Sequence, residues 1–195
     1  MSLLPPDVEQ AIFLAAFLFW LLFTFLIERF LRGGGSYGGE RTKEDKGSAL
    51  VIYFNTFAAI IIAFSLGGAN ITLLPEWSFF IGILLMFLGM LIRGWAIRTL
   101  KGYFLFTVGV REHQAVVETG PYRLVRHPAY TGAILCFVGI GLAVQSLVGL
   151  LLLLLVSTAS YGYRIRVEER ALLKGLGEPY AAYMSHTKRL IPFVF

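Results

Sequence analysis

Long runs of apolar residues, separated by short polar segments, set the pattern of this chain. A helix needs about 20 mostly apolar residues to cross the hydrocarbon core of a bilayer, and the runs approach that length. We therefore predict an all-α integral membrane protein with five membrane-spanning helices. The predicted spans are Ala11–Ile27, Ala49–Leu66, Phe79–Ile97, Ala129–Val144 and Leu147–Tyr163.

The last two runs are separated only by Gln145 and Ser146, which predicts a tight helical hairpin. We expect the fifth helix to continue past the bilayer as one helix, from Arg164 to Leu176. Gly177 and Pro179 then end it, since glycine and proline commonly follow the last turn of a helix.

Three polar segments lie between or after the spans. The glycine-rich stretch Arg32–Lys46 predicts a flexible cytoplasmic loop, because its glycine run lacks the Gly-Lys-Ser/Thr ending of a phosphate-binding loop. The segment Lys101–Pro128 is mixed in polarity and could not satisfy its backbone in lipid, so we expect it at the interface or over a cavity. The tail Tyr180–Phe195 is partly amphipathic and is expected to lie back on the membrane.

The composition agrees with a membrane protein. Hydrophobic residues make up 57% of the 195 residues and charged residues 15%, against about 25% charged residues in an average soluble protein. The length suits a single membrane domain, with three spans and a linker over residues 1–100 and the functional core over residues 101–195. The single cysteine, Cys136, excludes an intramolecular disulfide and a multi-cysteine metal site. No other metal-ligand spacing is visible, so no metal is expected.

The net charge of +5 indicates a topology rather than a nucleic-acid partner. The 17 lysines and arginines gather at the ends of the first, third and fifth predicted spans or in the segments that follow, without a nucleic-acid-binding motif. Cytoplasmic loops carry an excess of such residues, so we predict the N-terminus outside and the C-terminus in the cytoplasm. Asp7 and Glu9 precede the first run without a basic leader, so no cleavable signal peptide is expected.

Candidate chemical groups form two clusters, both on the predicted cytoplasmic side. The first comprises Gln114–Val117, Gly120–Arg123 and Arg126–Tyr130, where Gly-Pro and His-Pro pairs indicate turns. Backbone N–H groups at the start of the next helix can face a carboxylate or a ribose. Taken singly, the histidine and the tyrosines of this cluster could equally be interface residues of an aromatic belt.

The second cluster follows the fifth apolar run and comprises Arg164, Glu168 and Glu169, then Gly177–Tyr180 and Tyr183. Arg164 and Glu168 lie four residues apart and share a helix face, whereas Glu169 points about 100° away. Alone, the pair is interpreted as an exposed ion pair just outside the membrane, which contributes little stability. Beside a cavity at the membrane boundary, the same residues would be functional candidates.

Together the two clusters resemble a known signature. Residues 120–132 read Gly-Pro-Tyr-Arg-Leu-Val-Arg-His-Pro-Ala-Tyr-Thr-Gly, and downstream follow Arg164-x-x-x-Glu168-Glu169 and Gly177-x-x-Tyr180-x-x-Tyr183. Both strings are similar to those of the isoprenylcysteine carboxyl methyltransferase family and its relatives, including phospholipid N-methyltransferases. The resemblance runs from Gly109 to Arg189, and the first three spans carry no comparable signature.

The resemblance implies an S-adenosylmethionine-dependent methyltransferase with its cofactor pocket at the cytoplasmic face. By position in the motifs, Glu168 would bind the cofactor from the last helix, and Arg164 would face the carboxylate of a prenylated cysteine; these are the implied catalytic residues. The implied cofactor-binding set also includes Gln114, Val116, Val117, Tyr122, His127, Pro128, Ala129 and Tyr130. Arg93, Arg98 and Lys101 are further candidates for the substrate entrance.

The chemistry leaves the methyl acceptor open. Methyl transfer depends on positioning and electrostatics rather than on a metal. A carboxylate acceptor is already ionised and needs only an orienting cation such as Arg164, whereas a phospholipid amine must first lose a proton to a carboxylate or a histidine. The expected partners are a lipidic or prenylated substrate and membrane lipid, with no nucleic acid and no obligate protein partner.

Two other functional classes compete with the methyltransferase. One is an NADPH-dependent membrane reductase related to the sterol reductases, which is disfavoured because no set of basic residues is visible for a 2′-phosphate. The other is a small transporter or scaffold, which is disfavoured because the spans lack intramembrane charges and an inverted repeat.

Overall fold

The computed structural model of the protein describes residues 4–33, 48–68, 74–100 and 115–192. In these ranges the chain forms six α-helices and a short 3-10 helix, and its extended pairing is limited to one isolated bridge between Val125 and Lys188. The helices are α1 (Pro6–Gly33), α2 (Ser48–Gly68), α3 (Trp77–Leu100), α4 (Pro128–Ala143), α5 (Leu147–Leu176) and α6 (Glu178–His186), with the 3-10 helix at Gly120–Arg123. The prediction of an all-α protein is confirmed for the part of the chain that the structure describes.

Three stretches of helix have the length and composition needed to cross a membrane, Pro6–Ile27, Trp77–Leu100 and Leu147–Leu176. Phe54–Gly68 and Pro128–Ala143 are apolar but shorter. Large apolar side chains also face outward, as at Phe54 (77% exposed) and Leu91 (70% exposed), which suits a surface covered by lipid. The chain is therefore an integral membrane protein, and the number of spans stays a prediction.

Helices α3 and α4 pack against each other through glycines. A Cβ atom on Gly89 would lie 2.5 Å from the carbonyl oxygen of Gly132, and one on Gly139 would lie 2.6 Å from that of Gly82. Small residues let helix backbones approach closely in membrane proteins, where packing replaces the hydrophobic effect as the main attraction. Cys136 lies in this interface, where its Sγ is buried and donates to the carbonyl of Met86.

The predicted hairpin of α4 and α5 is present. Gln145 takes a positive φ of 57° between the two helices, and the Ser146 hydroxyl caps α5 by accepting from the N–H of Gly149. Helix α5 runs on from the apolar segment to Leu176, where Gly177 ends it with a φ of 64°. A left-handed φ favours glycine at such a position, so both the continuation and the end of this helix are confirmed.

The described part of the C-terminal tail packs against the rest of the protein. Helix α6 begins directly after Gly177 and packs on α5. Tyr180 and Tyr183 are buried in the protein, and residue Lys188 pairs with Val125. The described part of the tail, up to residue 192, is held by the protein through these buried tyrosines and the bridge, and its placement against the membrane stays a prediction.

One predicted span carries a charged residue near its end. Arg93 lies seven residues before the end of α3, inside a candidate span. Its Nη1 donates to the carbonyl of Ala129 in the first turn of α4 (3.3 Å). A charged group in an apolar helix is tolerated where polar groups of the protein receive it. Arg93 thereby joins α3 to α4, the helix that follows residues 120–127, here called the motif loop.

Candidate active site

The motif loop before α4 is held against two helices. Gly120 opens the 3-10 helix with a φ of 59°, and a Cβ there would lie 3.0 Å from the Thr99 hydroxyl. Tyr122 is buried and packs with Ala96 of α3 and Ala129 of α4. The loop is therefore fixed in place before it reaches the residues that follow it.

His127 and Pro128 start α4. His127 stands at the N-cap and Pro128 occupies the first helical position, where the missing N–H of proline costs nothing because no helical carbonyl precedes it. Both residues are buried. At this position the imidazole lies beside Glu168 and Glu169 of α5.

The two sequence clusters converge on each other. Nδ1 of His127 lies 3.9 Å from Oε2 of Glu168, and the Tyr130 hydroxyl donates to the same oxygen at 2.6 Å. The rings of His127 and Tyr130 stack with centroids 5.5 Å apart and planes 9° apart. The predicted proximity of the motif loop to α5 is therefore confirmed.

Arg164 belongs to the same group but not as predicted from spacing alone. It is only 4% exposed, and its Nε donates to the Tyr130 hydroxyl at 3.3 Å. Tyr130 therefore links Arg164 to Glu168. The alternative interpretation of an exposed ion pair is wrong, because the arginine is buried.

Glu169 faces a second set of partners. Its side chain is 5% exposed, against 30% for Glu168. Oε1 accepts from Nε of Arg126 at 2.9 Å, and Oε2 accepts from Nε of Arg189 at 3.0 Å. Nε2 of His127 lies 3.4 Å from Oε1. Thus the histidine lies between two adjacent carboxylates that point in different directions.

Three buried tyrosines line this region. Burial raises the pKa of Tyr122, Tyr180 and Tyr183 well above the usual value, and the charge of Glu168 adds to the effect at Tyr122. The Tyr183 hydroxyl donates to the carbonyl of Tyr122 at 2.7 Å. Helix α6 is thereby joined to the motif loop, a contact for which the sequence offers only the repeated tyrosine spacing.

The remaining predicted site residues are distributed more loosely. Val116 and Val117 lie half-buried in the segment before the 3-10 helix, and Val117 packs against the cluster that contains Tyr122. Ala129 is buried beneath the loop, while Arg98 is exposed at the end of α3. Gln114 and Lys101 lie outside the described residues. Among the residues that are described, no group of three His, Cys, Asp or Glu side chains could hold a metal ion.

Sequence reasoning placed Arg126 and Glu169 in the two clusters without giving either a role, and it did not include Arg189. The available signal was the pair Glu168-Glu169 itself, because two adjacent residues of a helix point about 100° apart. A glutamate on an inward face must find cations, since an unpaired buried charge is very costly. The arginine of the Arg-His-Pro string was the nearest candidate.

Comparison with known proteins adds the following. A family model described as phospholipid methyltransferase matches residues 77–178. Protein-S-isoprenylcysteine O-methyltransferases A and B of Arabidopsis thaliana are 31% and 28% identical to the chain over 120 residues. That stretch is 60% of the chain and 61% of each relative, so the chain spans less than two thirds of the length of these relatives.

A solved structure is also similar. It is the structure of the eukaryotic intramembrane Ras methyltransferase ICMT (isoprenylcysteine carboxyl methyltransferase). The similarity covers 98% of this chain and 69% of that one, with a TM-score of 0.68 and 22% sequence identity. At this identity the likeness shows a common fold.

Proposed function

Because the chain belongs to the phospholipid methyltransferase family, we propose that it transfers a methyl group from S-adenosylmethionine to a lipidic acceptor, the carboxylate of a prenylated cysteine or a similar group. The observation that carries this proposal is the Tyr130 hydroxyl, which joins Glu168 to the buried Arg164. One group suited to a cationic cofactor and one suited to an anionic acceptor thus stand side by side. Both residues also lie in the sequence strings that resemble those of the methyltransferase family, which supports these two roles.

The polar and aromatic side chains around Glu168 fit the proposed cofactor. Glu168 is held through Oε2 but keeps 30% of its side chain exposed, so its carboxylate can receive an ammonium or a ribose hydroxyl. The ring of Tyr130, which is partly exposed and stacks on His127, offers an aromatic face, which attracts cations such as a sulfonium. When bound, S-adenosylmethionine supplies an electrophilic methyl group. Gln114, Val116, Val117, Tyr122, Pro128 and Ala129 complete the proposed cofactor-binding set.

Arg164 is proposed to orient the acceptor. Its guanidinium is planar, permanently charged and suited to a carboxylate, and its Nε is already fixed by Tyr130. Burial to 4% exposure strengthens its interaction with an anion because little water competes. Such a site favours an ionised carboxylate over an amine, which would arrive as a cation. The residues of the chain then act by binding, orienting and excluding water.

The proposed setting is the cytoplasmic boundary of the membrane. We infer five spans, a single membrane domain, the N-terminus outside, and both the C-terminus and the site inside. The distribution of lysine and arginine supports this orientation. A polar cofactor from the cytosol and an acceptor with a lipid tail would meet at that boundary.

A labelling experiment tests the proposed reaction. Detergent-purified protein is incubated with methyl-labelled S-adenosylmethionine and either a farnesylated cysteine derivative or phosphatidylethanolamine. We expect label in the cysteine derivative that mild base releases, as for a methyl ester. Label in phosphatidylethanolamine alone would identify the amine N-methyltransferase instead. Binding of NADPH in place of S-adenosylhomocysteine would overturn the methyltransferase and favour the reductase.

A further inference from the structure

The segment Thr187–Leu190, here called the strap, is bound along the start of α4. The N–H of Arg126 donates to the carbonyl of Lys188 at 2.7 Å, and the N–H of His127 donates to the carbonyl of Arg189 at 3.0 Å. The Thr131 hydroxyl donates to the carbonyl of Leu190 at 2.8 Å. Three successive carbonyls of the strap thus hold the motif loop and the first turn of α4.

A single carboxylate locks the strap to α5. Glu169 projects from α5 and receives Arg126 of the motif loop on Oε1 and Arg189 of the strap on Oε2. Nη2 of Arg189 also lies 2.9 Å from Oε2. Because Glu169 is 5% exposed, its charge depends on both arginines, and removing either leaves a buried charge poorly paired. Three separate segments therefore share one buried ionic centre.

Arg126 extends the lock to the end of α6. Its Nη1 donates to the carbonyl of Met184 at 3.1 Å and also to the carbonyl of Thr187. One guanidinium thereby contacts α5, the last turn of α6 and the first residue of the strap. The strap consequently cannot move without disturbing the hydrogen bonds of the motif loop.

The strap and Glu169 together hold His127 in place. Its backbone N–H is held by the Arg189 carbonyl, and its ring Nε2 lies 3.4 Å from the Glu169 carboxylate that the Arg189 guanidinium fixes. We propose that Arg189 is a positioning residue that orients His127 through Glu169, so that the C-terminal strap is a working part of the site. The link to cofactor binding rests on the proposed function, whereas the link to His127 rests on the contacts alone.

Hydrogen exchange tests the strap without any ligand. In Arg189→Gln, the amides of Arg126 and His127 are expected to exchange at least about tenfold faster than in the wild type, because their acceptors lose their anchor. Arg170→Gln, the same substitution at an exposed residue beside Glu169, is expected to leave both amides unchanged. Wild-type exchange in Arg189→Gln would overturn the proposal.

Binding of S-adenosylhomocysteine tests whether the strap acts through His127. Residues that orient a binding side chain typically change affinity by about 10- to 100-fold, so Arg189→Gln is expected to raise Kd by about tenfold or more. In a His127→Ala background the same substitution should have no further effect, since coupled residues are not additive. Additive losses in the double variant would mean that Arg189 does not work through His127, which contradicts the proposal.

The conservative variant keeps the test decisive. Arg189→Lys retains a cation but loses the two-pronged contact with Glu169, so exchange and Kd are expected to fall between the wild type and Arg189→Gln. If Arg189→Gln fails to fold, Arg189→Lys is compared with the wild type instead. Wild-type amide exchange together with a wild-type Kd would then overturn the proposal. Failure of the wild type to bind S-adenosylhomocysteine would instead refute the proposed function, and the exchange measurement would still decide the strap.

Discussion

At the scale of single residues, the Tyr130 hydroxyl is the centre of the site because it contacts both charged groups. It donates to Glu168 at 2.6 Å and accepts from Arg164 at 3.3 Å. A phenol in this position fixes the carboxylate and the guanidinium relative to each other without neutralising either. The relative placement of cofactor and acceptor would then depend on one oxygen atom.

Tyr130→Phe is expected to weaken S-adenosylhomocysteine binding while leaving the ring stacked on His127. A hydrogen bond to a charged group contributes about 1.5–3 kcal/mol, so Kd should rise by about tenfold or more. Tyr163→Phe removes a hydroxyl from an exposed residue of α5 and serves as the matched control. Equal affinities for the wild type and Tyr130→Phe in a calorimetric titration would mean that this hydroxyl does not organise the site.

Arg164→Ala is expected to separate binding from turnover. If Arg164 orients the acceptor, its loss should spare S-adenosylhomocysteine binding but reduce methyl transfer by about 100-fold or more, as for other groups aimed at the reacting centre. Arg166, two residues along α5 and exposed, provides the control Arg166→Ala. Methyl transfer at the wild-type rate in Arg164→Ala would remove Arg164 from the proposed site.

The sequence predicts part of this site and misses part of it for a physical reason. The four-residue spacing of Arg164 and Glu168 correctly places them on one face of α5, but this spacing does not indicate whether the two side chains are buried. Whether such a pair is an exposed ion pair or a buried functional group depends on what packs over it. Here Tyr130 packs over it from a segment far away in the sequence.

At the scale of helices, the contact between α3 and α4 determines where the motif loop ends. Glycines at Gly82, Gly89, Gly132 and Gly139 let the two backbones touch. Because α4 starts at His127 and Pro128, any shift between these helices moves the imidazole. The glycines, although distant from the site, therefore contribute to its geometry.

Gly89→Ala is expected to destabilise the protein. Its Cβ would lie 2.5 Å from the carbonyl oxygen of Gly132 and 2.9 Å from the backbone nitrogen of Cys136, and forcing extra atoms into a packed interface costs about 1–3 kcal/mol. Gly162→Ala, in α5 with open space at its Cβ, should be neutral or stabilising by up to about 1 kcal/mol through helix propensity. Thermal unfolding in detergent compares the two, and equal melting temperatures would contradict the close helix contact.

The helices themselves follow from the sequence, but the pairing of the tail does not. Apolar runs and the Gly177 signal predict α5 through to its last residue, because helix formation and ending are local. The bridge of Val125 with Lys188 joins segments distant in the sequence and depends on the buried Glu169 between Arg126 and Arg189. No periodic pattern records such a long-range contact.

At the scale of the whole molecule, the distribution of basic residues predicts the orientation in the membrane. Asp7 lies near the start of α1 and Ser185 lies on α6, and both are exposed. The native Cys136 is buried, so single cysteines introduced at these two positions report the two ends separately. In intact cells, an impermeant maleimide should label Asp7→Cys but reach Ser185→Cys only after lysis. The opposite pattern would reverse the proposed topology.

The central claim is that one cofactor site forms where the motif loop meets α5, with Glu168 as its exposed carboxylate. Calorimetric titration of S-adenosylhomocysteine into the purified wild type and Glu168→Ala tests it most directly. We expect micromolar binding to the wild type and no detectable binding to Glu168→Ala, with similar melting temperatures for the two proteins. Equal affinity in the folded variant would contradict the account.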